Sequence, residues 1–158
     1  MIFITFGTQS CDFSRCIHMI DDLISTYKID EDIIAQTGYT SCNSSLFKHF
    51  SFVNEADYQQ YIENARIVIS HAGTGALFSS IKKGKKVIAV ARLNKYGEMV
   101  DDHQTEIVKK LSEDGYILDG THSLIDAWKK LDGFNPRPCD FSNTLVEEIS
   151  KQLDMWLK

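Results

Sequence analysis

The stretch ARIVISHAGTGALFSSIKK, residues 65–83, decides the architecture. Arg66–Ser70 is a short β-rich run with no polar alternation, as expected of a strand buried on both faces. His71-Ala72-Gly73-Thr74-Gly75 turns the chain, and Ala76 to Lys82 then reads as an apolar helix. A strand feeding a helix through a tight glycine turn is the unit of a parallel sheet.

The same unit recurs on either side. Ile2–Phe6 is an apolar run ended by Gly7, followed by a helix over Phe13–Tyr27 with Ile17, Ile20, Leu23 and Ile24 on one face and Asp12 or Ser14 as cap. Ile33–Gln36 and Phe47–Val53 read as strands, and Glu55–Asn64 as a helix capped by Asn54. Downstream, Lys86–Val90 and Gly115–Leu118 are strands, while His103–Leu111, Ser123–Leu131 and Thr144–Leu157 are helices. The expected fold is α/β, a single Rossmann-like doubly wound parallel sheet in one domain over residues 1–158. Such sheets bind ligands at the carboxyl ends of their strands. That places Gly7–Asp12, Gln36–Thr40, His71–Gly75 and Ala91–His103 on one rim.

Within that rim, the two glycines of 71–75 allow close approach of backbone to a ligand, and the helix start offers amide donors to a phosphate. Thr74 can add a hydroxyl and His71 a ring N–H. A plain strand-to-helix turn would need only one glycine. No G-K-[ST] follows, and Phe78 occupies the place of a third dinucleotide-fold glycine. Gln104, at a helix start, can donate and accept toward sugar hydroxyls. Asp101 and Asp102 read as a favourable acidic helix start, and no Asp-x-Asp pair for a divalent ion occurs in the rim loops. Lys82, Lys83, Lys85 and Lys86 read as solvating a helix C-terminus at the far end from the phosphate loop. His18 and His49 read as solvated or core residues. No Ser-His-Asp, Cys-His or zinc pattern is present, and the four cysteines lack ligand spacing.

Composition narrows the classes. Of 158 residues, 43% are hydrophobic and 25% charged, with two prolines, which is a globular balance. A net charge of −5 argues against a nucleic-acid partner. No apolar run reaches the ~20 residues of a membrane span, and MIFITF lacks a basic leader, so it reads as a strand.

The order of segments resembles the small donor-binding subunit of bipartite glycosyltransferases in family 28, nearest its bacterial capsule and exopolysaccharide branch. ISHAGTG, GKKVIAVAR and KYGEMVDDHQ carry the resemblance, which runs from IFITFGT to GYILDG. It implies the C-terminal half of a GT-B fold, with no cofactor and no metal. It also implies that His71, Gly73, Thr74 and Gly75 hold a diphosphate, with His71 the phosphate-side candidate and the catalytic residue unknown. Phe52 and Val53 would read the uracil ring. His103 and Gln104 would face the donor sugar, and Gly7, Thr8, Gln36 and Gly38 would share the rim. After the first strand the family pattern is Gly-Thr-His-Glu-Gln, whereas Gly7-Thr8 are followed here by Gln9-Ser10-Cys11; Phe13 and Arg15 match. An acidic ribose ligand of some relatives falls at Ser79.

The function implied is a two-component inverting hexosyltransferase. Its donor would be UDP-galactose, UDP-N-acetylglucosamine or UDP-glucose, and its acceptor a lipid-linked sugar. The partner would be a membrane-anchored acceptor-binding subunit, recruiting this cytoplasmic chain to the inner face of the membrane. Residues 141–158, with Leu145, Ile149, Leu153 and Trp156 on one face, would dock it or pack on their own sheet. The altered loop favours an alternative, a non-catalytic nucleotide-sugar-binding regulatory subunit. A stand-alone UDP-sugar epimerase fits the short chain less well.

Overall fold

A computed structural model describes residues 1–139, so the helix expected over 144–157 lies outside the described residues. Six strands, β1 (Ile2–Thr5), β2 (Ile33–Gln36), β3 (Lys48–Phe50), β4 (Ile67–Ser70), β5 (Lys86–Ala89) and β6 (Leu118–Asp119), pair in parallel in the order β3-β2-β1-β4-β5-β6. The helices are α1 (Ser14–Tyr27), α2 (Glu55–Asn64), α3 (Thr74–Lys82), α4 (His103–Glu113) and α5 (Leu124–Lys129). This is the doubly wound parallel sheet expected from the sequence.

Side-chain alternation along the central strands builds two cores. Ile2, Ile4, Ile67, Ile69 and Ile88 face α1 and α5, whereas Phe3, Val68, Val87 and Ala89 face α2, α3 and α4. The chain winds outward from β1 to β3, returns beside β1, and winds outward the other way. Crossovers of constant right hand then put α1 on one face and α2 on the other. Strand order therefore reverses between β1 and β4, where the loops after both strands part and leave a crevice.

Two strands differ from expectation. β3 ends at Phe50 rather than Val53, although Thr37 N–H still donates to Phe50 O (2.9 Å) and Gly38 N–H to Ser51 O (3.0 Å). These bonds hold residues 51–53 beside the β2 loop, on the rim, without extending the ladder. β6 begins at Leu118 rather than Gly115. Gly115 takes a φ of +79° at the end of α4, and Tyr116 and Ile117 are spent plugging the core before pairing with Ile88 begins.

Candidate functional site

The crevice at the strand-order reversal is a cleft of about 390 Å³. Gly7, Thr8 and Gln9 form one wall, and Gly73, Thr74, Gly75 and Ala76 form another. Gln36, Phe52 and Val53, with Glu55 and Tyr58 of α2, close one end, while Gln104 of α4 stands at the other. Gln9 comes with the expected Gly7–Asp12 loop, whereas Glu55, Tyr58 and Ala76 are additions to the expected set. Tyr58 is brought in by the capped start of α2, where Asn54 Oδ1 accepts from Asp57 N–H (2.9 Å), and its hydroxyl donates to Thr5 Oγ1 (3.3 Å).

α3 begins at the cleft with Gly73 as N-cap, and no side chain caps it. The first-turn amides of a helix have no intrahelical partner, so this end presents N–H donors and the positive end of a dipole to the cleft. At Gly75 an added Cβ would meet nothing within 4 Å, so the first turn is open to a close ligand. At Gly73 and Gly7 the restriction comes from within. A Cβ at either would lie 2.1 or 2.3 Å from His71 Nε2. Gly73→Val would thus disturb the fold as well as any ligand.

His71 is buried between these two loops. Its Nδ1 lies 3.1 Å from Thr5 O, an acceptor, which assigns the proton to Nδ1 and leaves Nε2 as an acceptor against the glycines. Burial, reinforced by the Arg92 charge, pushes its pKa down to about 4, although the Thr5 bond opposes the shift. At neutral pH His71 is uncharged, and the N–H expected to face a phosphate is committed to Thr5. The ring lines the cleft, wedged between Gly7 and Gly73.

Two expected residues lie apart from the lining. Gly38, at φ +60°, passes beneath the first loop, where a Cβ would lie 2.5 Å from Gly7 O. His103 is half exposed, near Asp101 and Glu106. Ser79 is likewise absent from the lining, since its hydroxyl donates to Gln59 Oε1 (2.9 Å). Lys83 pairs with Glu63, Lys85 Nζ donates to Glu63 O (2.6 Å) and Lys86 Nζ to Leu131 O (2.8 Å). These contacts are distant from the rim, in line with the reading of the lysine cluster. Among the described residues, no group of three or more His, Cys, Asp or Glu could hold a metal.

A buried polar network lies behind the cleft, and the sequence marks its members, Arg15 by its match and Arg92, Glu98 and Gln104 within GKKVIAVAR and KYGEMVDDHQ, without showing that they meet. Arg15 makes a two-pronged pair with Glu98 (2.8 and 2.9 Å) and donates to Ala91 O and Thr121 O (both 2.8 Å). Glu98 also accepts from Leu93 N–H (2.9 Å). Arg92, 1% exposed, donates to Cys11 O (2.8 Å) and Phe6 O (3.1 Å), with its guanidinium over the Phe13 ring. Gln104 Oε1 accepts from Arg92 N–H (3.0 Å).

The glycosyltransferase family 28 C-terminal domain matches residues 1–150. The chain belongs to that family. Among curated proteins it is 28% identical over 124 residues to the UDP-N-acetylglucosamine transferase subunit ALG13 of Homo sapiens, covering 74% of this chain and 11% of that protein. The mouse protein of the same name is 25% identical over 128 residues, so the chain spans about a tenth of the length of these two relatives. Among solved structures, the family 28 fold seen here superposes on the NMR structure of ALG13 with a TM-score of 0.61 at 19% identity, covering 93% of this chain and 92% of that one. It superposes on Acinetobacter baumannii MurG with a TM-score of 0.56 at 17% identity, covering 82% of this chain and 40% of that one. These likenesses establish the fold as that of one half of a GT-B glycosyltransferase.

Proposed function

We propose that the chain binds a UDP-sugar and forms the nucleotide-sugar half of a two-component hexosyltransferase. The observation that carries this reading is the uncapped start of α3 opening into the cleft at the strand-order reversal, with Gly75 bare toward it. A diphosphate seated there would receive backbone N–H bonds and the helix dipole, the same interactions that stabilise the charge of a leaving UDP without a metal. Gly73, Thr74 and Gly75 would hold it, Phe52 and Val53 the base, and Gln104 the sugar. Family membership, and relatives named as UDP-N-acetylglucosamine transferase subunits, support the uridine nucleotide and the need for a second component.

The lining favours a chain that binds the donor and leaves proton transfer to its partner. Among the described residues lining the cleft, Glu55 is the one carboxylate, and it is exposed at the start of α2. His71 is neutral, with its proton held by Thr5. Direct displacement with inversion then draws its base from the acceptor side, which belongs to a membrane-anchored partner holding a lipid-linked sugar. UDP-galactose, UDP-N-acetylglucosamine and UDP-glucose are the donors to try, in a capsule or exopolysaccharide setting.

Thermal unfolding of the isolated chain, titrated with UDP, these three UDP-sugars, ADP and NAD, tests the binding reading. A ligand at 100 times its Kd adds about 2.7 kcal/mol. Stabilisation by UDP compounds alone is expected; stabilisation by ADP or NAD in preference to them would overturn the uridine assignment. Sugar transfer from UDP-sugar to a lipid-linked acceptor is expected only when the partner is present. Turnover by the isolated chain would contradict the two-component reading.

A further inference from the structure

The buried guanidinium of Arg92 calls for an explanation that stability does not supply. Removing a charged group from water costs several kcal/mol, and an apolar side chain of similar volume commonly serves a core at least as well. Nor is Arg92 placed as one half of an ion pair: the carboxylate of Glu98 is taken in both prongs by Arg15. The hydrogen bonds of the Arg92 guanidinium go instead to main-chain carbonyls of a single segment, Phe6 O, Cys11 O and, at 3.5 Å, Asp12 O. That segment encloses Gly7, Thr8 and Gln9, one wall of the cleft. The backbone of the same residue holds the opposite end, because its N–H fixes Gln104 through Oε1.

We infer that Arg92 is the positioning residue of the cleft, setting the 6–12 loop with its side chain and Gln104 with its main chain. Two consequences follow from the geometry. The loop is gripped by its carbonyls, which every residue has, so Gln9-Ser10-Cys11 can replace the family's His-Glu-Gln while the wall keeps its shape. With its oxygen oriented by Arg92 N–H, Gln104 has both amide N–H groups left to donate, which suits a ligand acceptor such as a hydroxyl or phosphate oxygen. Arg15 and Glu98 brace the construction from behind, tying α1 to the 91–98 loop.

This inference rests on the nucleotide-sugar reading for what the cleft holds, and the test separates the two. Amide hydrogen exchange of the full chain is compared for wild type, Arg92→Lys, Arg92→Met and Leu23→Ala, the last a core truncation remote from the rim. Exchange at Phe6 and Phe13, whose N–H groups bond Gln36 O and Thr40 Oγ1 at the two ends of the loop, is expected to quicken at least tenfold in both Arg92 variants, with the amides of α1 beyond its first turn unchanged. Leu23→Ala is expected to quicken exchange throughout α1 and leave UDP affinity alone. Isothermal titration with UDP is expected to show at least a tenfold weaker Kd for Arg92→Lys, measured where all variants are folded. Unchanged exchange at Phe6 and Phe13, or a uniform rise over the whole domain, would overturn the positioning role and leave Arg92 as core packing. If wild type binds no UDP compound, the functional reading falls, and the exchange experiment still decides the role of Arg92.

Discussion

Gly73 and Gly75 stand two residues apart in one turn, yet a Cβ meets different surroundings at each. At Gly75 it would enter open space at the mouth of the cleft. Gly75→Ala should therefore leave the free protein as stable or about 0.5–1 kcal/mol more so, since alanine is the better helix former. It should also weaken UDP by about tenfold, or 1.4 kcal/mol; urea unfolding and calorimetric titration of one preparation give both signs. Gly73→Ala, which sets a methyl against the His71 ring, should lower stability and affinity together. His71 carries its own pH signature. Its folded pKa of about 4 lies below the ordinary 6.5, so the unfolded chain binds the extra proton. The stabilisation is complete above pH 6.5 and is lost as pH falls toward 4, amounting to about 3 kcal/mol. Unfolding free energies measured from pH 7 to 4 should fall less steeply in His71→Gln. For Gln104, the substitution Gln104→Glu keeps the acceptor for Arg92 N–H but replaces the amide donors with a carboxylate. Binding of UDP-sugars should fall at least tenfold, with the unfolding midpoint little changed.

The same division between local and distant causes appears in the elements. Asn54 and Asp57 satisfy one another at the start of α2, through Asp57 N–H to Asn54 Oδ1 and Asn54 Nδ2 to Asp57 Oδ2 (2.8 Å). Asn54→Ala should cost about 1 kcal/mol in chemical denaturation. That cap was legible because it depends on residues three apart. So were the helix faces, the central strands and the rim loops, each fixed by periodicity and glycine placement within a dozen residues. Neither expected cap of α1 holds that place: the N-cap is Phe13, with no side-chain cap bond, and Asp12, one residue earlier, accepts from Ser14 N–H through Oδ2 (3.1 Å). What escaped the sequence was set at long range. Arg92 reaches carbonyls some eighty positions earlier, and nothing in Ala91-Arg92-Leu93 distinguishes a buried guanidinium from an exposed one. The same holds for His71, whose ring N–H looked available until Thr5 O was found beneath it. β6 was misplaced because Tyr116 and Ile117 have strand-like composition but serve the core between α4 and the sheet.

At the scale of the molecule, the described residues form three layers, helices on both faces of one sheet, and the fold match covers 40% of the MurG chain. No described helix is long and apolar enough to cross a membrane. Under the proposal, a chain truncated after Asn143 should remain folded by circular dichroism yet fail to retain the partner in co-purification; full retention would exclude the last fifteen residues as the docking element. The strand order has a further consequence during synthesis. β1 lies at the centre of the sheet, yet its partner β4 follows four intervening elements, and Ile2 pairs with Ile67. Non-local parallel pairing is slow to form because loop closure precedes any reward. On the ribosome, then, one flank of the first strand stays unpaired until β4 emerges, so the nascent chain carries an apolar edge from the emergence of β1 to that of β4. Chaperone demand should peak there and fall once residue 70 has left the exit tunnel, a profile that ribosome-bound chains of stepped length would record.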